Sequence, residues 1–181
     1  MGCNEENPKN QAFIQVAPFV ADVTPPFRFP IGEKKALRII DSRTARGIVL
    51  VGSGEPIVLC SVDWRNIENG ATDVWRNALA QAANTLRGRV AVHHVHQHDA
   101  PRCDFDTDHI LAEYGLSGSY FDPEFAHLAI EITATALRGS LRNLQQVSHI
   151  GSGKSRVNKV ASNRRILGED GRVRLVRFSR W

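Results

Sequence analysis

The sequence predicts an α/β fold in which a mixed β-sheet layer carries flanking helices. The chain has 181 residues, of which 42% are hydrophobic and 23% charged, a composition typical of one folded domain with a real core. Short β-branched runs bounded by turn residues predict strands, most clearly at residues 45–51 and 56–62. A helical repeat follows and leads at once into another apolar run at Val90. This strand–helix–strand order is typical of a crossover unit.

The chain begins with a polar stretch, residues 1–12, that we expect to be a flexible N-terminal segment. Gly2-Cys3 with polar residues after it resembles the start of a bacterial lipoprotein after cleavage of its signal, which indicates a secreted, periplasmic or lipoprotein location. No apolar run reaches the roughly 18 to 20 residues needed to span a bilayer, so we expect no transmembrane segment.

The first strand is predicted at residues 13–23, and it ends in Asp22-Val-Thr-Pro-Pro26, whose two prolines force an extended loop. Residues 37–40 predict a short extended piece. Gly52-Ser-Gly-Glu55 then joins the next two strands as a hairpin. The second of these strands runs out into Asp63. An acid just past a buried strand serves either as a ligand or base, or as a cap or turn residue.

Two stretches of helical period come next. The first begins at Ala71 and is predicted to end at Gly88, with a core stripe of Trp75, Ala78, Leu79, Ala82 and Leu86. The second begins at Pro123 after the cap Asp122, with a core stripe of Phe125, Leu128, Ala129, Ile132 and Ala136. His127 lies off that stripe and is expected at the surface.

The remaining segments are shorter. Residues 102–118 are acidic but fail the EF-hand pattern, because the glycine at loop position 6 and the glutamate at position 12 are absent. Residues 145–150 predict a strand. Residues 160–166 and 173–178 predict a hairpin around the turn Gly168-Glu-Asp-Gly171.

Four of the seven histidines fall within the segment Arg89–Pro101, which opens as a strand. Because successive side chains of a strand alternate, His94, His96 and His98 would point one way and His93 the other. Imidazoles two residues apart on one face can converge on one metal ion. His96 and His98 are expected at or just beyond a strand end, where open α/β folds place their ligands. The alternative is a histidine-rich loop whose rings are satisfied by backbone hydrogen bonds.

Cysteine spacing and net charge narrow the function classes. Cys3, Cys60 and Cys103 are too widely spaced for a disulfide framework or a C-x-x-C zinc pattern, and Cys60 is predicted to be a buried small hydrophobe. The net charge of +4 comes mainly from the last third of the chain, so a basic surface for anionic ligands stays an alternative. Nucleic acid is not the expected partner, because the basic residues show no aromatic interleaving and no recognisable motif.

Several short motifs occur in a shared order: Asp22-Val-Thr-Pro-Pro26, a strand ending at Asp63, His96-Gln-His98-Asp-Ala-Pro101, and Ser162-Asn-Arg-Arg165 before Gly168-Glu-Asp-Gly171. This order resembles the N-terminal part of the neutral/alkaline, non-lysosomal ceramidase family, which carries D-[IV]-T-P, T-H-T-H-[ST]-G-P-like and N-R-[RS] segments. The resemblance spans roughly residues 16–180. It identifies residues 13–181 as the N-terminal portion of a ceramidase-like α/β domain.

The resemblance implies hydrolysis of the amide bond of N-acylsphingosine, a lipid-like amide, with the help of a single zinc ion (Zn2+). It makes His96 a zinc ligand, places His98 beside the substrate amide, and lines the same pocket with Arg164. Zinc lowers the pKa of bound water to about 7 and polarises the carbonyl, while a histidine and an arginine stabilise the developing oxyanion.

This sequence departs from the family in two respects. The threonines and glycine around the family's H-x-H are replaced by Val95, Gln97, Asp99 and Ala100, so the pocket wall differs. The family's remaining zinc ligands, a second histidine, a glutamate and a tyrosine, lie downstream of its Asn-Arg segment. We therefore expect a truncated or partial member, whose sheet would expose an apolar face or an unpaired edge and self-associate. The alternative is a non-catalytic α/β module that binds a metal or a partner.

Overall fold

The computed structural model describes residues 13–31, 34–158 and 163–176. The chain divides into two compact units, Met1–Ser148 and His149–Trp181. The predicted flexible segment 1–12, with its lipoprotein-like Gly2-Cys3, lies outside the described residues. Among the helices that are described, none has the length and apolar character needed to cross a membrane.

The first unit holds most of the secondary structure. Its strands are β1 (Ile14–Asp22), β2 (Pro30–Ile31), β3 (Lys34–Lys35), β4 (Thr44–Val51), β5 (Ile57–Val62), β6 (Asn66–Ile67), β7 (Val90–His94), β8 (Arg102–Cys103) and β9 (Gln145–Val147). Its α-helices are α1 (Gly70–Ala83), α2 (Phe105–Ala112) and α3 (Pro123–Ser140), with single 3₁₀ turns at Arg87–Arg89 and Leu141–Asn143. The second unit contains the hairpin β10 (Arg165–Leu167) and β11 (Val173–Val176).

Five strands form the main sheet in the order β7-β5-β4-β1-β9. Neighbouring strands are antiparallel except β5 and β7, which are parallel and joined through α1. The predicted mixed sheet with flanking helices and the predicted crossover are thereby confirmed. In the register, Thr44 pairs with Asp22, and Val62 pairs with both Ala45 and His94. The carboxyl ends of β1, β5 and β7 therefore meet the amino end of β4 at one end of the sheet, which we call the site end.

The hydrophobic core lies between one face of this sheet and the helices α1 and α3. Trp64 and Trp75 are fully buried at its centre, where their ring centroids are 5.6 Å apart in an edge-to-face arrangement. The indole nitrogen of Trp64 donates to the carbonyl of Val23 at 3.2 Å, so its polar atom is satisfied inside the core. Each large side chain buried here stabilises the fold by roughly 1.5–3 kcal/mol.

Gly47 lies where the core face of the sheet passes under an aromatic ring. A Cβ atom at this position would be 2.5 Å from Cζ of Phe19 and 2.1 Å from the carbonyl oxygen of Leu59. Such distances are far shorter than van der Waals contact, so glycine allows the Phe19 ring to pack directly on the β4 backbone.

The opposite face of the sheet, which we call the open sheet face, is apolar and uncovered over much of its area. By register it carries Val16, Pro18, Val20, Ile48, Leu50, Ile57, Leu59 and Ala91. Val20, Ile57 and Leu59 are among the exposed large hydrophobic residues. The expected exposed apolar face is therefore present, while self-association stays a prediction.

The end of α1 differs from the prediction. The helix ends at Ala83 rather than at Gly88, and Leu86 is exposed instead of lying in the core stripe. The physical reason is Asn84, which adopts the left-handed conformation with φ of 51° and donates its N–H to the carbonyls of Ala80 and Gln81. Asparagine tolerates this conformation better than most residues, and it ends helices in the manner of glycine.

The start of α3 was predicted correctly, but its buried stripe was not. The Asp122 carboxylate accepts the N–H of Phe125 at 3.0 Å, which caps the helix as expected. Leu128 and Ile132 are exposed, and the buried side chains are Ala126, Ala129, Ile130, Thr133, Ala134 and Leu137. Small residues on this face allow the helix to approach the sheet closely. His127 is exposed, as predicted, and its ring stacks on Phe105 with centroids 4.4 Å apart.

Several short segments also differ from expectation. The acidic stretch holds the helix α2, which begins where Asp104 accepts the N–H of Thr107 at 3.1 Å. Residues 37–40 form no strand, and β9 stops at Val147 rather than extending to residue 150. The second-unit hairpin is confirmed, with strands shorter than predicted, while positions 159–162 and 177–181 lie outside the described residues.

Candidate functional site

The histidine segment lies at the site end of the sheet. β7 ends at His94, and His96 and His98 come just beyond it, as predicted. The ring centroids of His94 and His96 are 5.9 Å apart, and those of His96 and His98 are 5.0 Å apart. His93 pairs with Ser61 and belongs to the open sheet face, so the predicted alternation around it is confirmed. The three other rings form one row, which we call the histidine row.

His96 has an unusual backbone conformation. Its φ is 61°, in the left-handed region that side chains other than glycine rarely adopt. Its Nδ1 lies 3.1 Å from the carbonyl oxygen of Arg65. Because a carbonyl only accepts hydrogen bonds, Nδ1 must be the protonated nitrogen and Nε2 carries the lone pair. Metal-binding histidines show this same arrangement, with one nitrogen bound to a carbonyl or carboxylate and the other directed to the metal.

The loop that carries His96 is tied to the neighbouring elements of the site end. The N–H of Val95 donates to the carbonyl of Val62 at 3.1 Å. The N–H of Arg65 donates to the carbonyl of Pro101 at 2.8 Å, and Nη2 of Arg43 donates to the carbonyl of Asp99 at 3.3 Å. The histidine row therefore rests on strand ends rather than on a loose loop, as a preorganised site requires.

Asp63 joins two strands at the site end. Its Oδ2 accepts the backbone N–H of Thr44 at 3.0 Å and the Thr44 hydroxyl at 2.6 Å. The N–H of Asp63 in turn donates to the carbonyl of Thr44 at 2.9 Å. Of the two roles open to this acid from the sequence, these contacts favour the cap over the metal ligand.

The Asp22-Val-Thr-Pro-Pro26 segment reaches the same end through Arg43. Hydrogen bonds from the side chain and backbone of Thr24 hold the pKa of Asp22 below its usual value. The Thr24 hydroxyl oxygen accepts the N–H of Arg43 at 2.8 Å. Three of the motifs recognised in sequence order are thus brought together by the fold.

His94 is half-buried, and its surroundings favour the neutral imidazole. Burial lowers the pKa of His94, the neighbouring His96 lowers it further, and Glu68 opposes both effects. Nδ1 of His94 is buried and has no hydrogen-bond partner among the described residues. Sequence reasoning missed Glu68 and its partner Asn66, whose amide donates to the Glu68 carboxylate. Their only signal was an acid soon after the strand end at Asp63.

A complete metal site is not present in the part of the chain that the structure describes. Within residues 13–31, 34–158 and 163–176, no group of three or more His, Cys, Asp or Glu side chains is arranged to hold a metal ion. Cys103 does not add a ligand, because burial raises the pKa of its thiol to about 12. His96 fits zinc as one imidazole donor, and the full set of about three protein ligands is not found here.

Arg164 lies in the second unit. It is exposed and directly precedes β10, next to a turn in which the Asn163 side chain accepts the N–H of Arg165 at 2.9 Å. Its expected role at the substrate amide stays a prediction, as do the roles of His96 and His98.

Comparisons with known proteins find structures rather than sequences. No protein-family model matches the chain, and no curated protein matches it. The neutral ceramidase from Pseudomonas aeruginosa is similar in structure, with a TM-score of 0.52 and 17% sequence identity over 76% of this chain and 23% of that one. A ceramidase complexed with C2 gives a TM-score of 0.52 and 17% identity over 75% and 22% of the two chains. The chain thus has a ceramidase-like fold and spans about a quarter of the length of these structures.

Proposed function

We propose that this chain forms part of a zinc-dependent hydrolase of linear amides, of the neutral ceramidase type, acting on a lipid-like amide. The observation that carries the proposal is the histidine row at the site end of a ceramidase-like fold. In that row, the Arg65 carbonyl fixes the His96 ring so that Nε2 presents its lone pair.

His96 supplies one zinc donor, and the proposal takes the remaining ligands from polypeptide outside the described residues. When bound, zinc supplies a water whose pKa is near 7 and a Lewis acid for the carbonyl. The neutral state favoured for His94 keeps a second positive charge away from such a cation.

His98 and Arg164 are the proposed catalytic residues beside the amide. The His98 ring lies 5.0 Å from the His96 ring by centroid, and it is exposed, so a substrate bound next to the metal can reach it. An imidazole in this place can donate a hydrogen bond to the oxyanion or hold a proton for the leaving amine. Arg164 would add a permanent positive charge for the same oxyanion.

A non-catalytic α/β module that binds a metal or a partner is the second candidate. It is favoured by the incomplete ligand set among the described residues and by the apolar open sheet face. A partner that covers this face could also supply the missing donors.

The first test is a calorimetric titration of the full chain with zinc chloride. His96→Ala is compared with the parent, and His109→Ala is the matched control, because His109 is exposed on α2 away from the histidine row. We expect His96→Ala to weaken zinc binding by at least about tenfold and His109→Ala to leave it unchanged.

The second test measures hydrolysis of a fluorescent short-chain N-acylsphingosine with and without zinc. Hydrolysis that is lost in His96→Ala and His98→Ala, but kept in His109→Ala, supports the proposed function. Zinc binding through His96 without hydrolysis assigns the second candidate instead. Absence of zinc binding, or equal binding by the parent and His96→Ala, overturns the metal role of His96.

A further inference from the structure

Four large apolar side chains near the site end are exposed. The exposed fraction is 82% for Leu37, 74% for Ile40, 61% for Phe27 and 52% for Ile39. Three of them lie in the loop between β3 and β4, and Phe27 lies in the turn before β2. Single exposed apolar residues are ordinary, but several of this size in one short region mark an interaction surface. We call these four side chains the apolar tip.

The apolar tip is held by a rigid base. The backbone N–H of Arg28 donates to the carbonyl of Ala36, and the N–H of Ala36 donates to the carbonyl of Phe29, both at 2.9 Å. Phe29 is buried, and its ring packs edge-to-face on Phe125 with centroids 5.2 Å apart. At the far end of the loop, the N–H of Val23 donates to the carbonyl of Arg43 at 2.8 Å. Exposure of the tip is therefore a property of an anchored loop.

Basic residues accompany the apolar tip. Residues 27–43 contain five of them against the acids Glu33 and Asp41, namely Arg28, Lys34, Lys35, Arg38 and Arg43. Arg28, Lys35 and Arg38 are exposed. Aliphatic and aromatic side chains that enter the headgroup boundary, next to Lys and Arg that meet anionic headgroups, are the combination by which proteins bind an anionic membrane surface. A protein partner is less favoured, because Lys is depleted at protein–protein interfaces.

We propose that the apolar tip docks on an anionic phospholipid surface, with Arg28, Lys35 and Arg38 at the headgroups. This proposal rests on the anchored loop and its charge, and it requires neither zinc nor hydrolysis. Because Arg43 links this loop to the carbonyl of Asp99 at 3.3 Å, docking would bring the histidine row close to the membrane.

The test is co-sedimentation of the full chain with vesicles of phosphatidylcholine alone and with vesicles that contain about one-quarter phosphatidylserine. The triple variant Leu37→Ser, Ile39→Ser, Ile40→Ser removes most of the tip. A matched control replaces three equally exposed apolar residues around the end of α2, whose exposed fractions are 58% (Ile110→Ser), 74% (Tyr114→Ser) and 51% (Leu116→Ser).

We expect the parent to bind the phosphatidylserine vesicles and to bind phosphatidylcholine vesicles much more weakly. The tip variant should bind at least about tenfold more weakly, because it loses the apolar area that enters the bilayer, whereas the control triple should bind as the parent does. Arg38→Glu should weaken binding by about fivefold or more, since each basic residue near such a surface contributes about 1 kcal/mol.

Two measurements guard against a folding artefact. Near-ultraviolet circular dichroism reports the buried Trp64–Trp75 pair, which must be unchanged in each variant. In a Trp181→Phe background, Leu37→Trp should show blue-shifted emission and quenching by brominated lipid when anionic vesicles are added.

The proposal is overturned if the parent does not sediment with anionic vesicles, or if the tip variant binds them as well as the parent. It is also overturned if sedimentation velocity shows a parent dimer that the tip substitutions dissociate, because the occupant of the tip would then be a second copy of the chain.

Discussion

The left-handed backbone of His96 makes a prediction that needs no metal. At φ of 61°, a residue with a Cβ atom is strained by roughly 1–2 kcal/mol, and glycine is not. His96→Ala removes the imidazole and keeps the strain, whereas His96→Gly removes the imidazole and relieves it. Glycine costs about 0.4–1 kcal/mol through the entropy of the unfolded chain. We therefore expect His96→Gly to be more stable than His96→Ala by about 0.5–1 kcal/mol.

His98 is the matched control, because it is also exposed and its φ is not positive. There the unfolded-state entropy acts alone, so His98→Gly should be less stable than His98→Ala by about 0.4–1 kcal/mol. The free energies of unfolding come from urea titration of the four variants. The thermal midpoints should differ by about 2–4 °C per kcal/mol in a chain of this size. If glycine destabilises relative to alanine at both positions, the strained presentation of His96 is wrong.

Further predictions concern the core, the thiols and the open sheet face. Gly47→Ala should lower the free energy of unfolding by about 3 kcal/mol, because its Cβ would overlap the Phe19 ring and a main-chain oxygen; unfolding in urea measures it, and an unchanged midpoint would contradict the packing. Burial raises the pKa of Cys60 and of Cys103 to about 12, so a thiol reagent at pH 8 should label neither until denaturant is added; rapid labelling of the folded chain, with the third cysteine replaced by serine, would refute their burial. Val20→Glu should reduce self-association in sedimentation velocity, because it places a charge in the apolar open sheet face, and a parent that is monomeric at all concentrations would count against that use of the face.

The sheet and its crossover were predictable because their signals are local. β-branched runs between turn residues mark β4 and β5, and a continuous helical period before Val90 marks α1. The end of α1 was not predictable in the same way, because Asn84 and Gly88 are both acceptable helix ends and packing decides between them. On α3, two stripes fit the helical period, and only contact with the sheet selects the one that contains Ile130 and Leu137.

The candidate site was predictable in its position but not in its detail. An H-x-H motif after an apolar strand indicates a strand end, and the fold places His96 and His98 there. The Arg65 carbonyl that orients His96, and Glu68 beside His94, reach the site through the short pairing of β6 with β8. That pairing involves two residues from each strand and leaves no periodic signal in the sequence. The left-handed conformation of His96 likewise depends on these tertiary contacts.

The pairing of β1 with β9 has a consequence for biosynthesis. Ile14 near the start of the chain pairs with Val147, so this side of the main sheet cannot close until nearly the whole first unit has left the ribosome. At about 5–20 residues per second, the nascent β1 waits on the order of ten seconds with one side unpaired. During that interval its backbone groups and the exposed Val20 are accessible to any other nascent strand or to a chaperone. The yield of correctly folded chain should therefore depend on how fast translation delivers Gln145–Val147.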